Sequence, residues 1–320
     1  FGWVLGYDNS SRSGAFKTTT TNGSAWSYKS YGFNSNLSGI CFSSAMNGWA
    51  VGDDGYIFHT IDGGSTWKHQ TNPLNASGRI RDLEDVFFVN DNYGWAVGEV
   101  NTIIRTTNGG LDWRQSTVSL PGITSFLRCV FFINQNVGWV GGSDNVLLKT
   151  EDGGDTWTVQ NMDEFNVRFN DIYFENENLG YIAGDVGYFL KTTNGGVSWE
   201  KKETGVFNSL LSMDVIDGDI WVAGNQKIIY SDNGGDTWED FSDFIASNYL
   251  QANFEGIAAL SKKSVWAVGS YGYRIHTVDA GKTWYRQNSP ILSRDFNAIC
   301  KINDFVYAVG DSGVAVRMLR

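Results

Sequence analysis

Apolar residues in this chain come in short bursts, without any sustained helical spacing. Val86-Phe87-Phe88-Val89 and Val130-Phe131-Phe132-Ile133 are branched or aromatic throughout and are followed at once by Asn. Runs this brief read as strands covered on both faces, because a helix needs a longer stretch to build one apolar stripe. Shorter segments such as Ile57-Phe58-His59-Thr60 fit further strands, and Gly-rich phrases separate them. The pattern predicts an all-β chain of many short strands.

Those strands recur as a unit. Gly48-Trp49-Ala50-Val51-Gly52 returns as Gly94-Trp95-Ala96-Val97-Gly98 and as Gly138-Trp139-Val140-Gly141-Gly142. Looser copies follow, so that positions 3, 49, 95, 139, 181, 221, 266 and 307 carry Trp or Tyr at separations of 46, 46, 44, 42, 40, 45 and 41 residues. That period is the length of a four-stranded propeller blade. A second phrase follows each first one, in its fullest form Thr60-Ile61-Asp62-Gly63-Gly64-Ser65-Thr66-Trp67. Its copies centre on Asp62, Asn108, Asp152, Asn194, Asn233 and Asp279, and close on Trp67, Trp113, Trp157, Trp199, Trp238 and Trp284. All 13 tryptophans belong to one phrase or the other, with Trp26 closing a shortened early copy.

The second phrase resembles the Asp-box of the bacterial neuraminidase repeat. Paired with Gly-Trp-x-x-Gly, it resembles the photosystem II stability/assembly factor family of single-domain propellers, over essentially the whole chain. The resemblance implies strands A to D in each blade, with the box as the C–D turn and its Trp packed between blades. A turn carboxylate can accept backbone N–H groups while the paired glycines take positive φ, and Asn can do the same. Because Asp and Asn interchange across the copies, these positions read as structural and not as catalytic or metal-binding.

A single β-propeller domain over 1–320 is expected, with 1–30 a partial first blade, 31–289 six complete blades and 290–320 a partial last one. Counting B, C and D from the first segment, six full units and A, B and C from the last gives thirty strands. We expect eight blades, completed by a D–A segment upstream, with seven as the alternative.

Composition narrows the function. The formal charge is −11, which disfavours nucleic acid and anionic lipid as partners. No apolar stretch approaches the roughly 20 residues needed to span a bilayer as a helix. The three cysteines, Cys41, Cys129 and Cys300, form neither a disulfide framework nor a metal-binding spacing. His59 and His276 share a strand C slot that elsewhere holds Lys17, Arg105, Lys149, Lys191 or Tyr230, and read as a solvated strand face. No cofactor, metal site or catalytic motif is expected.

Variation concentrates in the D–A loops, which share one face with the B–C turns. Arg81, Arg128, Arg168 and Arg294 lie close to strand A starts, beside Glu84, Asn170, Glu255 and Asn297 at one aligned position. The family resemblance implies a basic patch that holds a client protein, and these arginines match it in type and location. Phe244 and Tyr249 sit in one of the two longest D–A loops, as an anchor for a partner or a lid on the ring. The expectation is a non-catalytic binding or assembly scaffold that recognises a protein or peptide on the D–A face. The alternative is a carbohydrate-binding or carbohydrate-active propeller of an exported polysaccharide-handling system, with a glycan as partner and glycoside hydrolysis as the activity. Asn-x-Ser sequons at Asn9, Asn22, Asn36 and Asn75 point to export.

Overall fold

The computed structural model describes residues 2–8, 13–19, 27–30, 35–118, 124–162, 165–241, 252–287 and 294–319. The described strands form seven antiparallel sheets, six of four strands and one of six. The blades therefore number seven, and the expectation of eight is corrected. Blade 1 is typical: A is Leu37–Phe42, B Gly48–Gly52, C Ile57–Thr60 and D Lys68–Gln70. Strands B are buried along their whole length, as their near-continuous apolar character requires.

One aromatic lattice joins blade to blade. Trp95 of strand B lies flat on Phe132 of the next blade's strand A, with centroids 3.5 Å apart and planes 7° apart. Trp49 on Phe88 and Trp139 on Phe174 repeat this geometry. The box Trp then meets the same Phe edge-on, as Trp113 meets Phe88 at 5.8 Å and 87°. Stacked and edge-to-face arrangements both suit ring quadrupoles. The first glycine of the Gly-Trp phrase makes room for this: a Cβ on Gly94 would lie 2.3 Å from the Phe88 ring.

The looser copies of the phrase now have a cause. In blades 5, 6 and 7 that glycine is Ile220, Val265 and Val306, and the residues paired with them on strand A are Val215, Ala259 and Lys301 instead of Phe. Ring and glycine are exchanged together for two aliphatics, or for an aliphatic and a lysine stem. Volume lost at Ala259 is refilled by Phe241, which is buried and stacks on Trp221 at 5.7 Å and 15°.

Blade 7 consists of Phe296–Ile302, Phe305–Gly310 and Val314–Leu319, followed in the sheet by Gly2–Asp8, Ser13–Thr19 and Ser27–Ser30. The N-terminal segment thus supplies the fourth strand and two outer ones, with Trp3 opposite Arg317 and Val4 opposite Val316. It does not start a separate blade, which is how thirty strands fit seven sheets. Blade 7 then meets blade 1 through a ring stack of the kind that joins blades 1 to 4. Tyr307 stacks on Phe42 at 4.0 Å, its hydroxyl donates to the Gly63 carbonyl at 3.5 Å, and the Ser312 N–H donates to Asn36 Oδ1 at 2.9 Å. The ring closes with no place for an eighth blade.

The C–D turns are built as the residues dictate. Thr66 donates its N–H and its hydroxyl to the two carboxylate oxygens of Asp62, at 2.7 and 2.6 Å, and Gly63 and Gly64 take φ of 64° and 82°. Asp152 and Asp279 do the same with Thr156 and Thr283. Trp67, Trp113, Trp199 and Trp284 are buried, while Trp157 and Trp238 are half-buried.

Candidate functional site at the channel mouth

Strands A line the central channel, and all seven carry a β-bulge at their second residue. A bulge sets two residues against one and re-aims the extra side chain. Here the extra residues are Ser38, Glu84, Arg128, Asn170, Leu211, Glu255 and Asn297, and all seven line an open cavity of ≈ 380 Å³ in the channel. An otherwise repeated backbone thus presents seven largely different side chains at one rim.

The sequence-predicted residues divide on this rim. Glu84, Arg128, Asn170, Glu255 and Asn297 come together in the channel, whereas Arg81, Arg168 and Arg294 lie outside its lining. Arg168 pairs with Asp185 at 3.0 Å, Arg294 Nη1 donates to Ser312 Oγ at 2.6 Å, and Arg81 donates to its neighbour's carbonyl at Ile80. Phe244 and Tyr249 fall outside the described residues. Asn170 and Asn297 are clasps: their amides donate to the next blade at Leu210 O and Leu37 O, and to Asp185 and Asp311 of their own blade. Burial raises the carboxyls of Glu84 and Glu255, and the positive charge of Arg128 acts downward on both. One guanidinium therefore serves carboxylates of blades 2 and 6.

Deeper in the channel lie groups that the sequence reading passed over. Asp85 accepts the Val130 N–H of the next blade at 2.9 Å, and Asp171 accepts that of Met213 at 2.7 Å. Each closes a bare inner edge of strand A that would otherwise hold an unpaired donor. Burial pushes Asp85 up to about 7 and Asp171 up to about 8, against the bonds that favour their charged forms. Lys301 spans past the small side chains of blade 6 to bind Asp214 at 2.6 Å. Cys41, Cys129 and Cys300 line this channel too, and burial raises each thiol, that of Cys41 to about 12. A recurrent Asp inside otherwise apolar strand A runs was the readable signal.

The strand C slot also differs from its reading as a solvated face. Arg105 and Lys191 donate to carbonyls of the next blade's box, at Gly153 O (3.1 Å) and Gly234 O (3.0 Å). His59 and His276 stack on Trp49 and Trp266, and burial lowers both imidazoles. Among the described residues no group of three or more His, Cys, Asp or Glu is placed to hold a metal. No helix among them is long and apolar enough to cross a membrane.

Fold and rim together define a seven-bladed propeller with a differentiated channel mouth. The family model of the photosynthesis system II assembly factor YCF48 matches residues 18–122, 80–165 and 160–287, and the chain belongs to that family. Among solved structures it is similar to YCF48 bound to D1 peptide, at 22% identity and TM-score 0.74 over 90% of this chain and 94% of that one. YCF48 from Cyanidioschyzon merolae is 20% identical with a TM-score of 0.75, covering 90% of this chain and 96% of that one. Virginiamycin B lyase from Staphylococcus aureus has the same fold at 15% identity and TM-score 0.74, covering 89% of this chain and 95% of that one. No curated protein sequence matches the chain.

Proposed function

We propose that this protein is a non-catalytic assembly propeller that holds a peptide segment of a protein partner at the channel mouth. The observation that carries the reading is the ring of bulge residues, where repeated strands present different polar side chains on a rigid rim. Family membership supports it, as does the similar propeller solved with a D1 peptide. Within the rim, Arg128 between Glu84 and Glu255 is the charged group best placed to meet a partner. Asn170 and Asn297 set the rim's shape, and Arg81, Arg168 and Arg294 form its outer border. Phe244 and Tyr249 remain proposed contacts of the partner. Export is part of the same reading, although two of its four sequons lend it nothing. The Asn36 amide is held by Asp53 at 2.8 Å and that of Asn75 by Asp54 O at 2.9 Å, which leaves neither free for a glycan.

The test is Arg128→Gln, which removes the charge with little change of length. Affinity-tagged protein expressed in its own host should lose its co-purifying partner about tenfold, equivalent to ~1.4 kcal/mol. The melting temperature should stay that of the wild type. Undiminished capture, or loss only alongside unfolding, would contradict this assignment.

A further inference from the structure

In every blade but the fifth, the B–C turn of this face is a two-residue hairpin whose central residues both take positive φ, a geometry that favours Asn-Gly or Asp-Gly. Asp54-Gly55 obeys the preference. Val100 and Val186 defy it, at φ of 55° and 57°, a region that branched side chains essentially avoid. Neither is repaid by packing, since Val100 is 44% exposed and Val186 is 55% exposed. Each stands at a junction with a second exposed apolar residue of the following blade. Asn101 bonds both ways with Ser125, which precedes Phe126, 45% exposed. Gly187 donates to Asn208 O, which follows Phe207, 85% exposed. On the opposite face, exposed Leu111 and Val197 sit in turns at ordinary backbone angles and need no such account.

Charge gathers beside the first pair. Asp82 Oδ1 accepts the Asp54 N–H at 2.8 Å, and the Asp82 N–H donates to Glu99 Oε2 at 3.4 Å. Asp53 adjoins this group, Glu84 stands on the same rim, and burial first, then the neighbouring carboxylates, act upward on both. Arg79 and Arg81 offset part of five negative charges and leave the sector net acidic, while Arg128 stands in the channel lining, where a carbonyl or carboxylate of the same partner segment would meet it.

We infer that Val100 with Phe126 and Val186 with Phe207 are apolar docking points for a lysine-bearing, apolar segment of a protein partner, whose cations meet the acidic sector of blades 1 and 2. This rests on the protein-binding reading above and specifies its chemistry. Backbone strain is then retained for the contact and not for the fold, as at other sites where function opposes stability.

The experiment pairs stability with binding. In Val100→Asn/Val186→Asn, each new residue suits positive φ, so the melting temperature should rise. The probe is a soluble peptide of Lys-Leu-Ser repeats, followed by fluorescence anisotropy, with Glu-Leu-Ser and Lys-Ser-Ser repeats as comparisons. Wild type should bind the Lys-Leu-Ser peptide, and both comparisons at least tenfold more weakly. The double variant should bind the Lys-Leu-Ser peptide at least tenfold more weakly than wild type. A lower melting temperature in the variant would make the valines structural and overturn the inference. Unchanged affinity in the variant would reduce the binding to general attraction between opposite charges, and overturn it equally. Preference for the acidic peptide, or no peptide binding, would also overturn it, while the Arg128→Gln result still decides the broader reading.

Discussion

Asp62, Asp152 and Asp279 each face a threonine, whereas Asn108 faces the carboxylate of Asp112. In the first three the threonine hydroxyl donates, at 2.6 Å in every case. At Asn108 the direction reverses, and its amide donates to Asp112 at 2.9 Å. Asn194 and Asn233 donate likewise to the Ser198 and Thr237 hydroxyls. A hydroxyl both donates and accepts, but a carboxylate only accepts, so exchange between Asp and Asn is not symmetrical. Asp152→Asn should cost less than about 1 kcal/mol, with Thr156 turning to accept. Asn108→Asp should cost more, about 1–3 kcal/mol, because two carboxylates would face each other without a proton. Urea denaturation of the two variants checks the order, and equal costs would show that the partner is irrelevant. That the turns tolerate both residues was legible in the sequence; which copy needs which was not, since only the folded turn shows that the side chain four positions later is its hydrogen-bond partner.

At the scale of the strand, the Gly-Trp phrase and the Phe that ends strand A act as one device. Trp113 is the edge partner of Phe88 and hydrogen-bonds Gln70 through its indole at 3.1 Å. Trp113→Ala should cost roughly 3–5 kcal/mol, the usual range for a large buried aromatic. Half-buried Trp157 should cost less, and a reversed order in chemical denaturation would contradict the packing described. The period and the order of strands were readable because each blade repeats the same short apolar runs. The bulges were not readable, since nothing in Leu83-Glu84-Asp85-Val86 marks Glu84 as the extra residue. For the same reason Glu84, Asn170, Glu255 and Asn297 were found by alignment of copies, while their division into free and clasped groups needed hydrogen-bond partners. Arg168 and Arg294 looked like free cations only because Asp185 and Ser312 are 17 and 18 residues away along the chain.

For the whole ring, closure and channel charge set the stability. Closure was misread because the first segment carries the same phrases as a blade, and identical strands can pair as an outer extension. The channel carboxylates Asp85 and Asp171 have raised values in the folded state, about 7 and 8. Below about pH 4 the folded and unfolded forms both hold these protons, and their stabilisation is fully present. It is lost as pH rises through those folded values, because the unfolded chain ionises more readily. Asp62, Asp152 and Asp279 are lowered, so their contribution is present above about pH 4 and lost as pH falls through the folded values, that of Asp152 being about 2. Thermal melts should therefore peak near pH 4 and decline from there toward pH 8, with Asp171→Asn flattening the upper slope. A melting temperature that climbed steadily to pH 8 would remove the channel carboxylates as the controlling groups.

The central claim is that partners are met at the channel mouth and not on the face of the box turns. A photo-crosslinking amino acid placed at Ser38 or Leu211 reports on the rim, and one at Leu111 or Val197 on the opposite face. Irradiation in the native host, followed by mass spectrometry of the adducts, compares the two faces within one protein. The account predicts a discrete partner adduct from both rim positions and none from Leu111 or Val197. Adducts confined to the box-turn positions, with the rim silent, would contradict it.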